Sequence, residues 1–162
     1  MFKVIDNFLS KEEHTSIYNT LSNEYFPWYF NNYKLVPQSN KLFDYQFVHI
    51  FYDNEKINSD YFNNLNPLIK KINPKKLKRI KANLNVISQK LIKYNPHCDS
   101  HDPDQKSAVY YLNTNNGYTK IKDKKIKSEA NKIVFFASNT LHSGTNSTNC
   151  NNRMVINITY VL

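Results

Sequence analysis

The feature that most constrains the fold is a series of short apolar segments that fills the chain after Arg79. Six stretches have the length and the β-branched and aromatic content of strands, and turn-forming Asn, Asp, Pro and Gly separate them. They are 80–87, 90–94, 107–113, 118–121, 132–137 and 154–161. Closely spaced strands of this kind predict an antiparallel sandwich or barrel.

The first part of the chain is different and predicts helices. Ser10 followed by Glu13 is a capping-box signature, which predicts a helix that ends near residue 22. A second helix is predicted within 58–72, with a kink or a later start at Pro67. Strands are also predicted at 2–5 and 43–52. The expected fold class is therefore mainly β with flanking helices (α+β), the N-terminal helices packing on one sheet.

The length of 162 residues accommodates one domain with its own core. We find no linker or repeat, so we expect a single domain, 1–162, in which 1–78 support a β-rich core at 79–162. No apolar run reaches the roughly 20 residues needed to cross a bilayer. The N-terminus lacks a signal-peptide pattern, and the expected location is the cytoplasm of a cell or of a virus-infected host.

The formal net charge of +9 would ordinarily suggest a nucleic-acid partner. However, 20 of the 22 basic residues are Lys, and the chain is also rich in Asn, Ile and Tyr, which indicates an AT-rich genome. A basic β-rich module that binds nucleic acid without catalysis remains an alternative, and it would need aromatic residues between lysines on exposed strands. The chain has only two Arg and two Gly, so each of these four residues is expected to have a specific structural or functional role.

The segment His97-Cys98-Asp99 is the only His-x-Asp in the chain. In an extended backbone, residues two apart point to the same side, so this imidazole and this carboxylate can bind one ion. A further distant imidazole completes the facial triad of non-haem Fe(II), which leaves three positions open on the metal. His142, 45 residues later (142 minus 97), follows an apolar strand and is the candidate third ligand.

Arg153 opens the last predicted strand, 11 residues after His142 (153 minus 142). A guanidinium binds a carboxylate through two parallel charged hydrogen bonds, which a lysine does less well. In a chain that otherwise uses Lys, this Arg indicates such a partner. A dicarboxylate with one end on iron and the other on Arg153 would fit.

The order of these motifs resembles the catalytic core of the 2-oxoglutarate- and Fe(II)-dependent dioxygenases, in their prolyl-hydroxylase-like branch with its small phage-type members. The resemblance covers about 79–162, half of the chain. The matching pieces, in order, are His97-Cys98-Asp99, Ala108-Val109-Tyr110-Tyr111-Leu112-Asn113, Gly117-Tyr118-Thr119, Asn131-Lys132-Ile133-Val134-Phe135-Phe136, His142 and Arg153.

The resemblance implies a double-stranded β-helix, the jelly roll of cupin-like proteins. It implies that His97, Asp99 and His142 hold Fe(II) and are the catalytic residues. It also implies that Arg153, with Tyr111, binds the distal carboxylate of 2-oxoglutarate. Many relatives have Ser or Thr two residues after the Arg, where this chain has Val155, and Gly-Gly-Glu-Thr where it has Gly117-Tyr118-Thr119-Lys120.

The implied activity is hydroxylation by O2, with succinate and CO2 as products. Related halogenases lack the carboxylate ligand, so Asp99 favours hydroxylation. The substrate stays open between a peptidyl proline, a small metabolite and a nucleobase, with a protein or peptide side chain slightly favoured by the resemblance alone. No membrane partner is expected, and nucleic acid is not favoured.

Several other polar and aromatic residues have both a structural and a functional interpretation. His101 is expected to face solvent rather than bind metal, and Cys98 to point away from it. His14 and His49 are expected to be structural. Arg79, Asn83 and Asn85 alternate along one strand near the expected cavity, where contact with cosubstrate or substrate is open. The aromatic residues Phe26, Trp28, Tyr29 and Phe30 are interpreted as core, with a substrate platform as the alternative.

Overall fold

The structure is a computed structural model that describes residues 2–35 and 44–162. These residues form eleven strands, two α-helices and one 3-10 helix. The elements are β1 (Lys3–Ile5), α1 (Lys11–Ser22), β2 (Tyr29–Asn31), β3 (Gln46–Asp53), β4 (Lys56–Ile57), a 3-10 helix (Asp60–Leu65), α2 (Asn66–Ile72), β5 (Lys76–Val86), β6 (Gln105–Tyr111), β7 (Tyr118–Ile121), β8 (Lys124–Lys127), β9 (Lys132–Ala137), β10 (His142–Gly144) and β11 (Asn152–Val161).

Two antiparallel sheets make up the β-structure. The larger has the order β1-β9-β6-β11-β5-β3-β2, with β4 paired to β3, and the smaller has the order β10-β7-β8. Single bridges at Lys93–Thr145 and His97–His142 continue the smaller sheet. Apolar side chains of both sheets, among them Tyr111, Val134 and Ile121, meet in one buried cluster between them. The predicted double-stranded β-helix with a mainly β composition is confirmed.

The outer face of the larger sheet carries the main core. Because side chains alternate along a strand, Tyr110 faces outward while its neighbour Tyr111 faces the smaller sheet. Ile17 and Leu21 of α1 and Leu68 of α2 are buried against this outer face. The predicted packing of the helices on one sheet is therefore confirmed.

Local sequence signals account for the helix boundaries. The Ser10 hydroxyl accepts from the Glu13 amide and the Glu13 carboxylate accepts from the Ser10 amide, so the predicted capping box is present. The second helical region begins as the 3-10 helix and becomes α-helix where Pro67 occupies its first turn, which suits a residue without an N–H donor. Neither described helix has the length and apolar content needed to span a membrane.

Some strand predictions need correction. The segment 90–94 is not a strand, since only Lys93 forms a bridge there. β8 and β10 were not predicted: β8 is a polar edge strand and β10 has three residues, so neither has an apolar run. The strand predicted at 43–52 is observed from Gln46, and its first predicted residue, Phe43, lies outside the described residues.

Candidate metal centre

The smaller sheet and the loop before β6 bring the three predicted ligands together. His97 and His142 are bridge partners, and each backbone N–H donates to the other residue's carbonyl at 2.9 Å. The Asp99 amide donates to the Ser138 carbonyl at 3.0 Å, which holds the loop against the end of β9. The 45 residues that separate the two histidines in sequence therefore place them side by side on adjacent segments.

The three side chains converge on one point. One ligand atom from each of His97, Asp99 and His142 lies within 4.8 Å of the other two, and no other His, Cys, Asp or Glu group of this kind occurs in 2–35 and 44–162. Nε2 of His97 and Nε2 of His142 each lie 3.8 Å from a different oxygen of Asp99. Two imidazoles and one carboxylate in this arrangement are a donor set that suits Fe(II) with open positions.

A hydrogen bond orients the imidazole of His142, and burial lowers the pKa of His97. His142 is buried, and its Nδ1 lies 3.0 Å from the Thr140 carbonyl; donation there leaves the Nε2 lone pair facing Asp99. Burial, followed by the nearby His142, lowers the pKa of His97, with Asp99 opposing. A lowered pKa favours the unprotonated ring, which is the form that binds metal.

A serine pair orients the carboxylate. The buried Ser107 hydroxyl on β6 donates to Oδ2 of Asp99 at 2.6 Å, and Ser138 Oγ lies 2.9 Å from Ser107 Oγ. A hydrogen bond to an ionised acceptor is stronger than one between neutral groups. Ser107 therefore restrains the carboxylate of Asp99, an exposed residue of the loop before β6.

A cavity of about 400 Å³ opens between the two sheets beside this cluster. Its floor is one face of β5 and β11, where Asn85 lies opposite Arg153 and Asn83 opposite Val155 in the strand register. His97, Asp99 and His142 line it from the smaller sheet and the adjoining loop. The cavity therefore has the predicted metal ligands and Arg153 in its wall.

Arg153 is buried in the cavity wall, and its positive charge forms no ion pair with a carboxylate of the described residues. Its Nε donates to Ser128 Oγ at 2.7 Å and its Nη2 to Thr119 Oγ1 at 3.0 Å. Among the ion pairs of residues 2–35 and 44–162, none includes this guanidinium. Burial lowers the pKa of Arg153, but a guanidinium stays charged in proteins, so an anion that enters the cavity would be attracted to it.

Tyr111 lies beside this guanidinium, whose carbon is 5.7 Å from the centre of the Tyr111 ring. Its fully buried hydroxyl makes no hydrogen bond of ordinary geometry within the described part of the chain. Burial raises the pKa of Tyr111 to about 12, although the Arg153 charge and the nearby Thr119 hydroxyl oppose the rise. The hydroxyl is therefore neutral and available as a donor to an anion held by Arg153.

Both glycines of the chain adjoin the Arg153 side chain. A Cβ on Gly117 would lie 2.5 Å from the Asn146 carbonyl oxygen and 2.6 Å from Cδ of Arg153, closer than atoms can pack. A Cβ on Gly144 would meet only Nη1 of Arg153, at 3.7 Å, and Tyr94, at 4.0 Å. A side chain at position 117 would therefore collide with the aliphatic part of Arg153, whereas position 144 has room for a methyl group.

We expect Gly117→Ala to lower the free energy of unfolding by about 1–3 kcal/mol, the usual cost of overpacking. The added methyl group would collide with the Asn146 backbone carbonyl and with Cδ of Arg153. It can be accommodated only if the Arg153 side chain moves, together with its guanidinium. Urea denaturation of both glycine variants measures this. Gly144→Ala is the matched control, and equal stability of the two variants would contradict the packing argument.

Two buried serines offer a paired test of the site. Ser107→Ala removes a donor to Asp99, so we expect metal affinity to fall about tenfold. Ser128→Ala removes the acceptor for Arg153, so we expect weaker binding of an anion at Arg153 with metal affinity kept. Metal titration, and ligand titration at saturating metal, separate the two effects. Loss of the same property in both variants would contradict this division.

The structure also places the other residues that the sequence analysis singled out. His101 is exposed and outside the metal cluster, and the Cys98 thiol lies 3.2 Å from the Asn139 carbonyl instead of joining the ligands. His14 contacts the Tyr110 hydroxyl at 2.6 Å, and His49 bonds Pro27 and Ser59, so both are structural as predicted. Arg79, Asn83 and Asn85 all line the cavity.

The four N-terminal aromatic residues Phe26, Trp28, Tyr29 and Phe30 do not all lie in the core. Phe26 is buried and packs edge-on against Trp28, as predicted for core residues. Tyr29 and Phe30 on the edge strand β2 are more than half exposed and do not line the cavity. The interpretation of the whole group as core is therefore wrong for Tyr29 and Phe30, because a three-residue strand at the sheet edge leaves its side chains uncovered.

Several residues of the site were not singled out from the sequence. Ser107, Thr119 and Ser128 act on predicted residues through single hydrogen bonds. Lys34, Lys81 and Tyr94 line the cavity as well. Burial lowers the pKa of Lys81 to about 8, with Arg79 adding to the effect and Asp99 opposing it. Only the alternation with Asn83 and Asn85 could have indicated Lys81 beforehand.

Comparison with protein families identifies the core. A sequence model described as the 2OG-Fe(II) oxygenase superfamily matches residues 83–160, the segment that contains all three predicted metal ligands, Tyr111 and Arg153. Residues 83–160 belong to the 2OG-Fe(II) oxygenase superfamily. Its members use Fe(II), 2-oxoglutarate and O2, so this protein is classed as a 2-oxoglutarate-dependent Fe(II) dioxygenase. A search of curated protein sequences found no match.

Solved structures share the fold of the oxygenase over its whole length. A prolyl hydroxylase from Trichoplax adhaerens, in complex with a peptide fragment of the oxygen degradation domain of hypoxia inducible factor, has a TM-score of 0.69 at 18% identity, covering 99% of this chain and 83% of that one. A prolyl-4-hydroxylase from Pseudomonas putida has a TM-score of 0.60 at 14% identity, covering 99% and 91%.

An enzyme of another reaction type has the same fold. The alpha-ketoglutarate-dependent epimerase SnoN of nogalamycin biosynthesis has a TM-score of 0.69 at 13% identity, covering 99% of this chain and 77% of that one. At these identities the likeness concerns the fold alone. Since a hydroxylase and an epimerase share it, the substrate of this oxygenase must be inferred from its own cavity.

Proposed function

We propose that the protein is a hydroxylase that binds Fe(II) through His97, Asp99 and His142 and binds 2-oxoglutarate through Arg153 and Tyr111. The convergence of the three ligand atoms within 4.8 Å of one another is the observation that carries the proposal. The whole chain, 1–162, would act as one domain, because the outer core joins α1 and α2 to the sheet that carries Arg153.

The residues present fit the groups that the superfamily uses. The two Nε2 atoms and the Asp99 carboxylate leave the cavity side of the cluster open for further ligands. At the other end of the cavity, the uncompensated Arg153 charge and the neutral Tyr111 hydroxyl suit one carboxylate. A dicarboxylate that reaches from the metal to Arg153 satisfies both ends.

Iron, 2-oxoglutarate and O2 together would supply the oxidising chemistry, with succinate and CO2 as the proposed products. The protein's own residues bind and orient. His97, Asp99 and His142 would hold the metal on one side, and Ser107 restrains Asp99. Retention of Asp99 as a ligand leaves no position for a halide, so hydroxylation is the proposed outcome.

For the substrate we propose a side chain of a protein or peptide, with proline slightly favoured over a small molecule. Two of the structural neighbours described above are prolyl hydroxylases, and one of them is seen with a peptide. The cavity, which must also accept the cosubstrate, leaves space for little more than one side chain or a small metabolite.

Succinate formation by the purified protein with Fe(II), 2-oxoglutarate and O2 tests the proposal, first without substrate and then with peptides, amino acids and oligonucleotides. We expect slow succinate formation alone and faster formation with a substrate. A protein that binds single-stranded DNA in a salt-dependent manner and forms no succinate with any addition would instead support the alternative, a nucleic-acid-binding module.

A further inference from the structure

Lys34 connects the N-terminal part of the chain to the Arg153 end of the cavity. It follows β2 in sequence, yet its ammonium group lies 3.7 Å from the centre of the Tyr94 ring and donates a hydrogen bond to Oδ1 of Asn85. Both partners line the cavity, as does Lys34 itself. A residue far from the matched oxygenase segment therefore contributes a cation to its interior.

The strand register shows which part of the cavity Lys34 occupies. Asn85 is the direct partner of Arg153 across β5 and β11, so the residue that accepts from Lys34 is the immediate neighbour of the guanidinium. The metal ligand Asp99 lies elsewhere, held by Ser107 on β6. On β11, Ser107 pairs with Thr159, whereas Arg153 lies at the start of the strand. On the smaller sheet, Gly144 lies beside Nη1 of Arg153 and is two residues after the predicted metal ligand His142, so one small dicarboxylate can reach from one end of the cavity to the other.

Two cations at one end of a cavity repel each other, and burial adds to the cost. The pKa of Lys34 is lowered to about 7, mainly by burial; Asp44 opposes the shift, and the charges of Arg153 and Lys81 add to it. The ion pairs seen within 2–35 and 44–162 include neither Lys34 nor Arg153. The neighbouring Tyr94 has a pKa raised by burial and is neutral, so it offers a ring face but no charge.

We propose that Lys34 is a second cationic residue for the distal carboxylate of 2-oxoglutarate, which binds between its ammonium group and the Arg153 guanidinium. This inference rests on the proposed role of Arg153 and adds a binding residue from outside the superfamily segment. Arg153 provides the forked donors that fix orientation, and Lys34 provides a point charge on the side of Asn85 and Tyr94. The carboxylate then compensates both charges.

Proton linkage follows from this arrangement. In the free protein a group with a pKa of about 7 is mostly neutral at pH 8, whereas a lysine that contacts a carboxylate is protonated. Binding of 2-oxoglutarate should therefore take up most of one proton at pH 8 and much less at pH 6. The dissociation constant should rise with pH above about 7, because the bound state needs the proton that the free state has lost.

The experiment is calorimetric titration of the Fe(II)-loaded protein with 2-oxoglutarate without oxygen, at pH 6 and 8 in buffers of different ionisation enthalpy. We expect Lys34→Met to raise the dissociation constant at pH 6 about tenfold or more and to abolish proton uptake at pH 8. Lys34→Arg should keep the affinity within about threefold and also abolish uptake, since arginine does not titrate there. Lys75→Met, at an exposed lysine before β5, controls for the overall loss of one charge.

A second ligand identifies the carboxylate concerned. The compound 2-oxobutyrate has the same keto acid but no distal carboxylate, so Lys34→Met should leave its affinity unchanged. Equal loss for both ligands would show that Lys34 only braces Tyr94 and Asn85, which overturns the inference. Unchanged 2-oxoglutarate affinity in Lys34→Met would overturn it as well.

The inference and the proposed function fail in different ways. If Arg153→Ala weakens 2-oxoglutarate selectively while Lys34→Met does not, only the role of Lys34 is lost. If the unchanged protein binds no 2-oxoglutarate, or Arg153→Ala has no effect on it, the proposed site itself is wrong.

Discussion

Asp99→Ala and His97→Ala are each expected to reduce succinate formation to the background rate. A facial set has only three protein ligands, and with one of them removed, two remaining donors hold Fe(II) weakly and in no fixed orientation. Asp99 also supplies the only negative charge of the set, so its loss removes the neutralisation of the metal. Fe(II) titration and succinate measurement on the same preparations test this.

The control for this prediction is His101→Ala. His101 lies four residues after His97 but is exposed and outside the cluster, so its replacement should leave metal binding and turnover unchanged. Full succinate formation by Asp99→Ala would exclude the proposed centre. Loss of activity in His101→Ala would show that the ligand set has been assigned wrongly.

Arg153→Ala is expected to weaken binding of 2-oxoglutarate on the order of a hundredfold at saturating metal, as for truncation of a buried charge partner. The guanidinium is the only buried arginine among residues 2–35 and 44–162, and Thr119 and Ser128 hold it in place. Metal affinity should change little, because the guanidinium bonds to Ser128 and Thr119 and to none of the three proposed metal ligands. Competition between 2-oxoglutarate and 2-oxobutyrate measures the loss of distal-carboxylate recognition.

The other arginine of the chain is the matched control. Arg79 also lines the cavity but pairs with Thr159 in the register, six positions from Arg153 on β11, roughly 20 Å along the strand. Arg79→Ala should therefore leave 2-oxoglutarate affinity nearly unchanged. A comparable loss in both arginine variants would indicate general electrostatic attraction to the cavity instead of a specific contact at Arg153.

Strand periodicity and helix capping made most of the fold predictable. The predicted strands 118–121 and 132–137 coincide with β7 and β9, and the capping box begins α1. The segment 90–94 failed because an apolar run alone does not supply a partner strand; only Lys93 is bridged. β10 was missed because its position is set by pairing with β7, which its own three residues do not indicate.

The replacement of Ser or Thr by Val155 shows a limit of reasoning by resemblance. Val155 cannot make the extra hydrogen bond that a Ser or Thr makes in many relatives, yet Thr119 and Ser128 both accept from the guanidinium. Thr119 belongs to β7, and Ser128 follows β8 directly. Thr119 lies in the smaller sheet and Ser128 directly after it, so no spacing along β11 could have indicated these hydroxyls.

By itself, the sequence determined which side chains can act: one His-x-Asp, one later His after an apolar strand, and one Arg at the start of the last strand. These residues could be identified from residue chemistry and local periodicity, which the sequence shows directly. Only the tertiary structure decided what surrounds them, including Ser107 behind Asp99, Gly117 beneath Arg153 and Lys34 beside Asn85. The physical reason is that such contacts depend on strand register and on the packing of distant segments, and short-range sequence patterns do not specify either.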